Sequence, residues 1–143
     1  MSVQLIPYFV MNGNAREAIE FYVKALDGNV LFSQTFGDMP ESPDFPIPAE
    51  AKDRITHATI QVGESQLMFS DTFPGQPHQI GNQVTVCIST DSLEKSQRIF
   101  EALKEGGQVS MPFQKTFFSP GYAVVTDKFG VTFQINTENG CLE

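Results

Sequence analysis

The chain has 143 residues, 41% of them hydrophobic and 18% charged, and a net charge of −8. That length suits one ordinary domain with a real core, and the composition is too apolar for a disordered chain. The nine Lys and Arg are scattered, so there is no basic footprint to displace counterions from a nucleic acid or to hold an anionic membrane surface, and neither partner is expected.

There is no Trp and there are 13 Phe, so Phe must fill most of the aromatic volume in the core or in a cavity wall. Cys87 falls inside an apolar strand pattern and Cys141 in the C-terminal tail; two cysteines make no stapled framework, and Cys87 reads as a buried structural thiol. The opening MSVQLIPYFVMNG lacks a basic leader and its apolar part is broken by Gln4 and Pro7, which is not a signal peptide. No apolar run reaches the length of a membrane span. A cytoplasmic protein is the expectation.

Residues 3–11 are apolar and β-favouring, with Pro7 marking an edge or irregular point. Asn12, Gly13 and Asn14 form a turn. Asn14 reads as a helix N-cap with Glu17 three residues on, and Ala18, Ile19, Tyr22, Ala25 and Leu26 recur at helical spacing. Gly28 is the expected left-handed stop. Phe21 and Tyr22 read as helix-to-sheet packing. Residues 29–36 alternate as a strand. Residues 37–54 hold four of the nine prolines and no periodicity, which predicts a long loop.

Residues 57–69, HATIQVGESQLMF, predict a hairpin turning at 63–65. Along its first strand His57, Thr59 and Gln61 share one face and Ala58, Ile60 and Val62 the other. Such a strand sets its apolar side on helices and its polar side on water or a cavity. Residues 71–83 form a second loop, which carries the other histidine, His78.

The pattern then restarts. Residues 84–89 predict a buried strand. Asp91 reads as a cap with Glu94 after it, Leu93, Ile99, Phe100 and Leu103 form the inner stripe, and Gly106 and Gly107 stop the helix. Residues 109–118 are extended and broken by Pro112. A turn at Pro120 and Gly121 leads into a hairpin over 122–135 that turns at 127–130, and 136–143 reads as a frayed tail.

The order is strand, helix, three strands, twice over. The predicted fold is α+β: paired βαβββ modules, about 1–72 and 83–137, joined by a loop at 73–82 within one domain. The sheets should be mixed or antiparallel and curved, with the helices on their outer face. Two such free faces turned together would enclose a cleft, a natural ligand site. Its polar lining would be His57, Thr59, Gln61, Thr132 and Gln134. Tyr8, Phe113, Phe117 and Phe118 are the candidate aromatic walls. No Ser–His–Asp or Cys–His arrangement is placed by spacing, so no catalytic residue is assigned.

This order resembles the vicinal oxygen chelate superfamily, the glyoxalase, bleomycin-resistance and extradiol dioxygenase group. Within it, the chain is most similar to PhnB-like proteins. The resemblance rests on PYFVMNGNAREAIEFYVKALDG at the start, ITHATIQVG and LMFSD in the first hairpin, and EALKEGGQVSMPFQKTFFSPGYAVVTDKFGVTFQIN at the close. It covers nearly the whole chain. It implies a homodimer, and in metal-using members four inward side chains on one divalent cation. By position His57 and Gln134 fall on two of those ligand sites; the other two fall near Pro7 and Tyr8 and near Val84 and Thr85.

Proteins of this kind are often labelled 3-demethylubiquinone-9 3-methyltransferase-like. A methyltransferase of the common type needs a Gly-rich loop between strand and helix, and the Gly pair here follows a helix instead. Two readings therefore stand. One is a PhnB-like protein that binds a small organic molecule, its specific activity unassigned. The other is a metal-dependent lyase, isomerase or dioxygenase with His57 and Gln134 in the metal shell.

Overall fold

In a computed structural model the described residues are 3–39, 46–73 and 76–138. Cys141 and most of the predicted tail lie outside them. The chain divides into two compact units, Met1–His78 and Gln79–Glu143.

The first unit runs β1 (Tyr8–Met11), α1 (Ala15–Leu26), β2 (Asn29–Thr35), β3 (Ile55–Val62) and β4 (Ser65–Asp71), with its sheet ordered β1-β4-β3-β2. The second runs β5 (Val86–Thr90), α2 (Leu93–Leu103), β6 (Gln108–Gln114), β7 (Tyr122–Thr126) and β8 (Thr132–Thr137), ordered β5-β8-β7-β6. Substituting each strand of the first unit by the fourth one after it converts one order into the other. In both, the outer pair β1–β4 or β5–β8 is parallel and the rest antiparallel, so the sheets are mixed. The predicted α+β, twice-βαβββ architecture is what the chain adopts.

The register makes the correspondence residue by residue. Met11 pairs with Asp71 at the end of the first parallel ladder, and Thr90 with Thr137 at the end of the second. Counting back, Tyr8 corresponds to Cys87 and Met68 to Gln134. Ala58 pairs with Phe69 as Ala123 pairs with Ile135, so His57 corresponds to Tyr122.

Each sheet buries one face under its helix. In the first unit Tyr22 of α1 lies against Phe9 and Phe69, with ring centroids 5.6 and 5.7 Å away, and Ala58, Ile60 and Leu67 complete the layer. In the second, Ile99, Phe100 and Leu103 of α2 are buried, as are Ala123, Val125, Phe133 and Ile135 of the sheet. The helical stripes read from the sequence are these contacts except at Leu93, which stands exposed in the first turn of α2 while Ser96 is buried instead, and Tyr22 packs helix to sheet as expected.

The caps differ from the sequence reading. Asn14 stands at the start of α1 but its side chain makes no cap bond. The buried carboxylate of Asp71 does that work from β4: Oδ1 accepts from the Gly13 N–H at 2.8 Å and the Ala15 N–H at 3.0 Å, and Oδ2 from the Ile55 N–H at 2.9 Å. Asp27, not Gly28, takes the left-handed C-cap conformation of α1 (φ 56°). Gly28 is required for another reason: a Cβ there would lie 2.9 Å from the Gln61 carbonyl oxygen. Ser92 rather than Asp91 caps α2, its Oγ accepting from the Lys95 N–H at 3.2 Å.

The stretch read as one long loop over 37–54 is zipped at its base. Phe36 and Gly37 donate to the carbonyls of Arg54 and Lys52, each at 2.9 Å, and short 3-10 turns occupy Phe36–Asp38 and Ala49–Ala51. Its proline-rich 40–45 lie outside the described residues. The strand expected to begin at Val84 begins at Val86 and alternates in burial instead of being buried throughout.

Candidate uncharged sheet faces

The face of each sheet turned away from its helix is where side chains remain available. In the first unit a row crosses the sheet through paired positions Tyr8, Met68, Thr59 and Phe32. His57 stands one step along β3 on the same face, paired with Gln34. Its imidazole lies between two aromatic rings, Tyr8 at 5.9 Å and Phe32 at 6.0 Å between centroids. The Tyr8 hydroxyl meets Nδ1 at 3.4 Å and the Thr59 hydroxyl meets Nε2 at 3.3 Å. Both contacts are long for a hydroxyl–nitrogen hydrogen bond, so they are weak and exchangeable. Tyr8 and Phe32 are each about half exposed, at 46% and 49%. Gln61 points its amide down the strand and donates to the Gly63 carbonyl at 2.8 Å.

In the second unit Gln134 is the centre. Its Oε1 accepts the Tyr122 hydroxyl at 2.6 Å and its Nε2 donates to the Thr85 hydroxyl at 3.0 Å. Phe118 stands edge-on to Tyr122 at 4.9 Å, and Phe117 edge-on to Phe118 at 5.2 Å. A tight turn closed by the Thr116 N–H on the Ser119 carbonyl presents both rings. Thr132 pairs its hydroxyl with that of Thr126 at 2.8 Å. Cys87, paired with Gln134 across β5–β8, is exposed, which corrects its reading as a buried structural thiol. The strand is buried on alternate residues only, and Cys87 has the open parity. Nearby burial still pushes its thiol above the ordinary range, and burial followed by the charge of Cys87 does the same for the Tyr122 phenol.

Tyr8, Thr59 and His57 thus gather in one unit and Thr85, Gln134 and Phe118 in the other. Phe113 turns to the helix side, 5.9 Å from the Phe100 ring. His78 donates from Nε2 to the Val10 carbonyl at 2.8 Å, at the edge of the first sheet. Sequence reading missed Phe32, Met68 and Tyr122. Phe32 faces His57 because of an irregularity in β2 between Val30 and Phe32, which resets the alternation that a regular strand would follow.

The resemblance implies a divalent cation, and the donor set does not fit one well. Gln134 Oε1, the atom a cation would use, already accepts a short phenolic hydrogen bond. The counterpart of Gln134 in the other unit is Met68 and that of His57 is Tyr122, so neither repeats a hard ligand. Tyr8, His57, Thr85 and Gln134 offer one imidazole and no carboxylate, where hard and borderline ions take several charged or imidazole donors. Among the described residues no group of three or more His, Cys, Asp and Glu gathers to hold a metal ion.

One further property joins the two faces. Of all residues in the eight strands only Asp71 is charged, and it is buried on the backbone amides already named. Among the described residues, all the other charge of this chain of net charge −8 lies on helices, turns and loops.

Duplicated βαβββ units with one face under a helix and one left open are the frame of a known group. The model of the Glyoxalase/Bleomycin resistance protein/Dioxygenase superfamily matches residues 4–135, and the chain belongs to that superfamily. It is 34% identical over 139 residues to protein YjdN of Escherichia coli (strain K12), covering 92% of this chain and 93% of that one. A crystal structure of protein PA1353 from Pseudomonas aeruginosa matches with TM-score 0.86 and 39% identity, over 96% of this chain and 98% of the other. A PhnB protein from Bacillus cereus, described as a putative 3-demethylubiquinone-9 3-methyltransferase, matches with TM-score 0.77 at 19% identity, over 94% and 99% of the two chains, which shows a shared fold. No helix among the described residues is long and apolar enough to cross a membrane.

Proposed function

We propose that this protein binds a small organic molecule on the open sheet faces that carry His57 and Gln134. The observation that carries the reading is the half-exposed Tyr8–His57–Phe32 group. An imidazole with weakly held nitrogens, walled by aromatic rings on a face without charge, suits a ligand that is mostly apolar and has a polar edge. Superfamily membership supports the same reading. The two modules form one domain, the protein works in the cytoplasm, and the assembly is a homodimer. Its specific activity is unassigned, and the metal-dependent lyase, isomerase or dioxygenase reading is the weaker one because its donors are incomplete.

A fragment screen by thermal shift, run with and without Mn²⁺, Ni²⁺ and Zn²⁺, tests this. A ligand that binds only the native state raises the melting temperature by mass action. Hits are expected without metal and are expected to be lost in His57→Ala. Hits that appear only with metal, together with stoichiometric metal that is lost in His57→Ala, would favour the alternative.

A further inference from the structure

We infer that the ligand at His57 is an uncharged planar ring with a hydroxyl or carbonyl at its edge, and that Phe32 selects for the planarity. The inference rests on the binding reading above and narrows it to a chemical class. Three observations lead to it.

The first is charge. The strands of the first unit put no Asp, Glu, Lys or Arg on the open face, since Asp71 is buried. A ligand carboxylate or phosphate would lose water there and meet no Arg or Lys of the sheet in return, within a protein of net charge −8. A ligand ammonium would meet no carboxylate of the sheet.

The second is hydrogen-bonding character. The Tyr8 hydroxyl, the Thr59 hydroxyl and the His57 imidazole can each donate and accept. Their present contacts, 3.3 and 3.4 Å long, are weak enough to exchange for a ligand atom. They match a neutral hydroxyl, which can donate or accept, or a carbonyl, which takes a donor.

The third is shape. Tyr8 and Phe32 flank the imidazole at nearly equal centroid distances, and Met68 lies in the row between Tyr8 and Thr59. Offset or edge contact of a flat ring with these aromatics adds to the area it buries, and a thioether packs well against a ring. A puckered ring of the same size gains the area without the ring-to-ring contact. Phe32 is the wall that only the irregular β2 provides, so it is the position that sets selectivity.

The test uses the full chain with the histidine ring carbons labelled, titrated with three probes: 2-naphthol, its saturated analogue decahydro-2-naphthol, and 2-naphthoate. 2-Naphthol is expected to move the His57 ring signals and to bind at least about tenfold more tightly than either of the others. Phe32→Leu is expected to erase most of that preference while leaving the melting temperature unchanged, since Phe32 is half exposed at a sheet edge. If the saturated or the anionic probe moves His57 as strongly as 2-naphthol does, this inference fails and the binding reading stands. If no organic probe or library fragment moves His57, the binding reading fails with it. If the His57 signals respond to protein dilution alone, a second copy covers the face, and both fall.

Discussion

At the level of single side chains, Asp71 ties three segments of the first unit together. It joins the turn before α1, the first residue of α1 and the start of β3 through three backbone amides. Asn keeps one acceptor oxygen and turns an N–H₂ toward the remaining donors. Asp71→Asn is therefore expected to cost about 3 kcal/mol in urea unfolding, the order for stranding buried partners of a charged acceptor. Cys87 makes a pH prediction. Its folded thiol titrates above the ordinary value because of burial, so the protonated form is the one the fold favours. That contribution is fully present below the unfolded thiol's value and is lost as pH rises through the folded one. The urea midpoint should therefore decline in the alkaline range, and Cys87→Ser should flatten the decline. A midpoint indifferent to that substitution would remove the burial argument. Asp71 was not singled out from the sequence, because its partners lie 16, 56 and 58 residues away. His57 was found because alternation along one strand is a local property.

Among helices and strands, both helices and their inner stripes were legible, since 3.6-residue periodicity needs nothing beyond the segment itself. Two of their ends were read one residue off, and α2 ends at Leu103, before the Gly106 and Gly107 expected to stop it. Asp27 takes the left-handed turn that Gly28 was expected to make, and Ser92 caps where Asp91 was expected. Capping depends on backbone angles that adjacent candidates compete to adopt. Asp27→Gly should stabilise by about 0.5 kcal/mol through relief of the positive φ. Gly28→Ala should destabilise despite the better helix propensity of Ala, because its Cβ would press on the Gln61 carbonyl. Ser92→Ala should cost about 1 kcal/mol. Paired chemical-denaturation curves measure all three. The antiparallel pairing of β3 with β4 and of β7 with β8 followed from their short connections, and the parallel outer pairs did not. The irregular register of β2 did not, and it alone brings Phe32 beside His57.

For the molecule as a whole, the duplication was legible from the repeated strand and helix pattern, with helices starting at similar offsets, whereas the sheet orders β1-β4-β3-β2 and β5-β8-β7-β6, with their parallel outer pairs, were not. The confinement of charge to helices and loops is visible in the sequence only after the strands are fixed. With a net charge of −8 and no clustered cations, the protein should pass heparin without retention even at low salt. Retention would reveal a basic surface that the sequence does not suggest.

The matched corners Asp71 and Thr137 are built by different means. One carboxylate secures the first. The second is shared among Thr90, Ser96, Ser119 and Thr137, with Ser96 Oγ 2.6 Å from Thr90 and 2.8 Å from Thr137, and Ser119 donating to the Thr137 carbonyl at 2.9 Å. A distributed joint degrades by steps, whereas a joint made by one group is kept or lost whole. The two halves of this duplicated chain are therefore unequally open to genetic drift at this corner: the later half can accumulate conservative changes there, while in the earlier half the corner rests on one codon at which nearly every change is damaging.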